Sequence, residues 1–94
     1  MKASDWYEIY AKLEEPNESL KEIVCPNCSH NSLDIQCVGD KSTRIGACYL
    51  WCENCLYGIE FSRVEIYAHQ EFVNFDESNA ESILRIPDFK RVMP

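Results

Sequence analysis

The sequence predicts a small α+β domain, in which an N-terminal amphipathic helix packs on a three-stranded antiparallel sheet that is followed by a C-terminal extension. Three observations predict it. Apolar residues recur at helical spacing near the start of the chain, later segments alternate apolar and polar residues, and two cysteine pairs of identical spacing flank the first two of those segments. The chain has 94 residues, of which 46% are apolar and eleven are aromatic, too many for a disordered acidic tail. At this length hydrophobic burial and ordering entropy nearly cancel, so a staple is needed. Six cysteines are the candidates.

The helix comes first. Trp6, Ile9, Tyr10 and Leu13 stand at i, i+3, i+4 and i+7, one face of a helix over residues 4–15. Asp5 is the expected N-cap, with Glu8 completing a capping box, and Pro16-Asn17 ends the segment. The aromatic stripe is expected to pack on the sheet rather than to form a partner groove.

The strands follow. Leu33-Asp34-Ile35-Gln36-Cys37-Val38 alternates as a half-buried strand does, and Gly39-Asp40-Lys41-Ser42-Thr43 breaks it. Arg44 to Trp51 is apolar on both faces and reads as the central strand. Tyr57 to Ile66 alternates again, with Tyr57, Ile59 and Phe61 on one face. Glu71 to Phe75 reads as a short strand, Asp76 or Ser78 as the cap of a brief helix reaching Arg85, and residues 88–94 as an edge strand. The expected organisation is one domain over 1–94: helix and linker in 1–22, a metal-bearing sheet in 23–66, and a wrapping segment in 67–94.

No leader-like apolar stretch opens the sequence, and no run approaches the roughly 18–20 residues that span a bilayer. The expectation is a cytoplasmic chain with reduced thiols, whose paired cysteines hold a metal. Cys25-Pro26-Asn27-Cys28 and Cys52-Glu53-Asn54-Cys55 are two C-x2-C motifs separated by 23 residues. Two intervening residues let a tight turn aim both sulfurs at one centre, and two such turns complete a tetrahedron. Four soft thiolates suit Zn(II), one ion per chain, with iron as the alternative. A redox dithiol would be followed by a helix, whereas Leu56-Tyr57-Gly58-Ile59 reads as strand.

The other two cysteines admit two readings. In a 33–38/45–51 hairpin, opposed residues sum to an odd number of about 83–85, which puts Cys37 and Cys48 on one face. Core thiols are the expected outcome, with a cross-strand disulfide or a further metal ligand the alternative. His30 and His69 are expected not to be ligands, because four thiolates fill the site. With no open metal position and no visible nucleophile–base set, an enzyme is not expected.

The paired knuckles, the hairpin between them and the strand after Cys55 resemble a zinc ribbon over residues 23–66. The resemblance implies a structural zinc held by Cys25, Cys28, Cys52 and Cys55. Ribbon knuckles often carry glycine just after the second cysteine, where φ is positive; here Ser29 and Leu56 stand there, and Gly58 comes later. Rubredoxin is similar in its site chemistry, but its shorter chain and the Pro-Gly of its second knuckle match this sequence poorly.

Zinc ribbons serve as nucleic-acid binders and as protein-docking modules, so charge must discriminate. Nine Lys and Arg against 16 Asp and Glu give −7, and four thiolates around a divalent ion bring this to about −9. Such a charge repels the phosphate backbone and favours a basic protein partner. The acids that suggest one are Glu14, Glu15, Glu18, Glu22, Glu71, Asp76, Glu77 and Glu81. The leading expectation is a protein-interaction module, in concrete form a bacterial antitoxin or immunity-type inhibitor covering the basic groove of a nuclease. The alternative is a nucleic-acid-binding accessory factor of transcription or translation, contacting its target through Lys41, Arg44, Arg63, Tyr49 and Tyr57.

Overall fold

The computed structural model describes residues 2–15, 17, 19–68, 70, 72–74 and 86–92. Helix α1 spans Ala3–Lys12 and a single 3-10 turn spans Leu20–Glu22. The strands are β1 Leu33–Gly39, β2 Ile45–Cys52, β3 Tyr57–Glu65, β4 Phe72–Asn74 and β5 Lys90–Arg91. They form one sheet in the order β4-β1-β2-β3-β5, so β2 is central, as its apolar sequence requires. The β1–β2 and β2–β3 pairs are antiparallel. The short strands expected within 71–75 and 88–94 join the three-stranded sheet as its two edges, β4 and β5, and both run parallel to their neighbours.

Helix α1 begins earlier than its sequence suggested. Asp5 sits in the first turn rather than at the N-cap, and its carboxylate accepts the Lys2 backbone N–H at 2.9 Å. The carboxylate thereby satisfies an orphan donor and sits at the favourable end of the helix dipole. The helix ends at Lys12 with the Leu13 N–H still bonded to the Ile9 carbonyl at 3.3 Å, and the chain runs on through single-turn bonds from Glu14 to Ala11 and from Glu15 to Lys12.

The apolar stripe of α1 is core. Trp6 is fully buried, Ile9 and Leu13 nearly so, and Tyr10 lies stacked between Phe61 (ring centroids 4.3 Å apart) and Tyr67 (5.0 Å). Beneath the helix, one cluster joins Trp6 and Ile9 to Cys25, Leu33, Leu50, Cys52, Ile59 and Val92. A second joins Cys37, Cys48 and Ile66, with Tyr10 packed against it. Burial around the Tyr10 hydroxyl pushes its pKa up to about 12.

Cys37 and Cys48 are exact partners in the β1–β2 register, and they form a disulfide. This corrects the expectation of reduced core thiols. Directly opposed residues of an antiparallel pair project to the same face, so two buried sulfurs meet there with nothing between them. Inference from a reducing compartment does not extend to this pair.

The opposite face of the sheet is covered as well. Trp51 is fully buried there, with the Phe89 ring nearly parallel to it and its indole N–H bonded to Glu53 at 3.0 Å. Gly58 permits that approach, because a Cβ would meet Phe89 and the Trp51 Cβ at 2.8 Å each. The tail is fixed by backbone bonds from Lys90 to the Leu56 carbonyl (2.7 Å) and from Val92 to the Gly58 carbonyl (2.8 Å). The brief helix expected over 76–85 lies outside the described residues. Among the described residues, no helix is long and apolar enough to cross a membrane.

Because Trp6 is fully buried between helix and sheet, Trp6→Ala should destabilise the fold by about 3–5 kcal/mol. The exposed control Glu8→Ala should stay within about 0.5 kcal/mol of the parent. Urea unfolding of both variants measures the difference.

Candidate metal centre

Each knuckle is a tight turn built the same way. Ser29 N–H donates to the Cys25 carbonyl and Leu56 N–H to the Cys52 carbonyl, both at 2.9 Å. Such a closure needs the next residue in the left-handed region, and Ser29 (φ 64°) and Leu56 (φ 56°) adopt it. The glycine missing from the sequence thus leaves the turn intact but replaces a relaxed residue with a strained one.

The turns bring the four predicted residues together. The Sγ atoms of Cys25, Cys28, Cys52 and Cys55 all lie within 4.8 Å of one another, with Cys25–Cys55 at 3.6 Å and Cys28–Cys52 at 3.5 Å. A tetrahedral ion with sulfur ligands at about 2.3 Å requires edges of about 3.8 Å, so the donor set fits a metal ion. Cys25 and Cys52 are buried, while Cys28 and Cys55 are partly exposed. The cluster is consistent with the two knuckles of a zinc ribbon and is set at one end of the sheet, where β2 runs directly into the second knuckle.

Backbone N–H groups point at the sulfurs. Asn27 N–H lies 3.3 Å from Cys25 Sγ, and the backbone of Asn54 and Cys55 supports Cys52 in the same way. The His30 backbone N–H, reinforced by the Asn54 and His30 side chains, draws the Cys28 thiol down to about 5 despite some desolvation. Burial dominates at Cys25 and Cys52. It pushes Cys25 up to about 12 and raises Cys52, so without a cation these two sulfurs favour the protonated form. A divalent ion reverses that preference, because thiolate coordination offsets the desolvation. Among the described residues, the one buried side-chain polar atom with no partner is Trp6 Nε1, in the core cluster that holds Cys25 and Cys52.

His30 lies beside the site and outside its ligand set. Its Nδ1 is 3.0 Å from the Cys28 carbonyl and 3.3 Å from the Asn54 amide nitrogen, so it stands between the knuckles. Contact with Cys28 raises its pKa. His69 lies outside the described residues. Asn54 was not anticipated, although a signal existed: in both motifs asparagine immediately precedes the second cysteine.

Arg44, one of the cations named for a nucleic-acid contact, bonds within the chain. Its guanidinium turns inward to the carbonyls of Ile66 (3.3 Å), Tyr67 (2.6 Å) and Gln70 (3.5 Å), and lies 4.9 Å from the Phe72 ring centroid. It fastens the segment after β3 to the hairpin tip. Tyr57 carries Lys90 over its ring, and Tyr49 is half-buried.

No protein-family model, curated protein or solved structure matches this chain.

Relief of the left-handed strain gives a direct check on the knuckle geometry. Leu56 is 40% exposed, so Leu56→Gly loses little packing and should stabilise the metal-loaded chain by about 1 kcal/mol. A lower urea midpoint for this variant would contradict the assignment.

Proposed function

We propose that this chain is a small zinc-stabilised protein-binding module in which the zinc is structural. The observation that carries the reading is the closed set of four sulfurs. All four tetrahedral positions are filled by Cys25, Cys28, Cys52 and Cys55, leaving none for substrate or water. Zn(II) is the occupant because soft thiolates in a tetrahedral cage suit it, and its role there is to cross-link two distant turns.

The function then resides on the surface. With zinc bound the charge is about −9, and Glu14, Glu15 and Glu22 are exposed on the N-terminal flank. Several cations have partners within the chain: Arg44 holds backbone carbonyls, and at the surface Arg91 pairs with Glu60 at 2.5 Å and Lys90 lies over Tyr57. Such a surface matches a basic protein and repels a phosphate backbone. Its concrete form is an inhibitor of the antitoxin or immunity type, seated on the basic groove of a nuclease. Glu18, Glu71, Asp76, Glu77 and Glu81, counted with this acidic surface, lie outside the described residues.

Two measurements test this reading. The purified chain should carry one zinc and be colourless, and Cys25→Ser with Cys55→Ser should abolish the metal; a red protein that bleaches on reduction would indicate iron. At low salt the zinc-loaded chain should capture basic proteins and release them as salt rises, while single- and double-stranded oligonucleotides fail to bind at about 10 µM. Oligonucleotide binding without capture of any basic protein would contradict the proposal.

A further inference from the structure

Both knuckles sit at the open end of the β1–β2 hairpin. Cys52 pairs with Leu33, and Glu53 N–H donates to the Ser32 carbonyl at 2.8 Å, so the second knuckle is tied to the chain leaving the first. A slip of one residue would shift Cys52 by about 3.3 Å along β1 and reverse its face. That shift is as large as the spacing between the sulfurs themselves. Closure of the four-sulfur cluster therefore selects the register observed.

The same register opposes Cys37 to Cys48 in the middle of the hairpin. Both are fully buried, and the Tyr10 hydroxyl donates to Cys48 Sγ at 3.6 Å. Six thiols can otherwise pair in many ways. Cross-knuckle pairing is the nearest competitor, since Cys25 and Cys55, like Cys28 and Cys52, have sulfurs about 3.5 Å apart.

We propose that metal coordination templates the Cys37–Cys48 disulfide. The ion occupies the four knuckle thiolates, withdrawing them from oxidation, and fixes the register that brings the remaining two cysteines together. The inference rests on the metal reading above. With glutathione disulfide as oxidant, one protein thiolate attacks it and releases a first glutathione thiol. The second protein thiolate then displaces glutathione from the mixed disulfide. Cys37 and Cys48 together lose two protons and two electrons, and one glutathione disulfide becomes two glutathione thiols. The order is metal first and disulfide second, so one chain carries both a disulfide and four thiolates shielded by their ion.

The test is oxidative refolding of the reduced, denatured full chain in a glutathione redox buffer, with one equivalent of zinc or with chelator. Free thiols are alkylated, disulfides are mapped by peptide mass, and bound zinc is measured in the same samples. With zinc, Cys37–Cys48 should be the dominant disulfide, and the knuckle cysteines should be alkylated only after chelator is added. With chelator, disulfides should appear among Cys25, Cys28, Cys52 and Cys55, and the Cys37–Cys48 yield should fall severalfold. The double variant Cys25→Ser, Cys28→Ser, refolded with zinc, should resemble the chelated parent. The double variant Cys37→Ala, Cys48→Ala should still bind one zinc. Its failure to do so would place the disulfide first and overturn the proposal. Equal Cys37–Cys48 yields with and without zinc, in a chain that binds one zinc, would overturn the templating and leave the metal site standing. Absence of bound zinc in every sample would overturn both.

Discussion

Four sulfurs drawn from the two ends of one hairpin must converge within a few ångströms, and much of the molecule is arranged around that requirement. The β1–β2 ladder starts at Leu33 and Cys52, beside the cluster. With the register set, Leu50 and Cys52 turn toward the helix and Trp51 toward the opposite face, so each side receives a large buried side chain. Helix α1 then covers the first face through Trp6 and Ile9. The tail returns beside the second knuckle, placing Phe89 by Trp51 and Val92 in the core.

A core this small has little margin. The contribution of a structural thiolate-bound zinc, roughly 10–16 kcal/mol, is comparable to the whole stability of a typical domain. The Cys37–Cys48 link adds about 2–4 kcal/mol by the usual constraint on the unfolded chain. The four-sulfur cluster lies at the open end of the hairpin and the disulfide at its middle, while Arg44 secures the tip by holding the carbonyls that follow β3. Strain accepted at Ser29 and Leu56 is modest beside the energy that a thiolate-bound ion supplies.

The four-cysteine cluster was legible because its spacing is itself chemistry: two residues between sulfurs define the turn, and its repetition brings four sulfurs to one centre. The helix face, the three main strands and the central position of β2 were legible from periodicity. Other features depend on tertiary contact. Alternation places Cys37 and Cys48 on one face, but only an actual register decides whether they are level, and here they are. Nothing local to Arg44 announces that its carbonyl partners lie more than twenty residues away. The parallel docking of β4 and β5 depends on where the connecting chain returns, which two- and three-residue strands do not encode. Helix α1 starts earlier because Asp5 is as effective inside the first turn as ahead of it.

If a four-thiolate ion closes the hairpin, the fold depends on it. Amide-resolved NMR of the chain, stripped of metal under conditions that keep Cys37–Cys48 intact and then titrated with zinc, measures this most directly. Amide dispersion for the hairpin and helix should be collapsed without metal and fully restored at one equivalent. A metal-free spectrum that already shows native dispersion through β1, β2 and α1, unchanged on adding zinc, would contradict it.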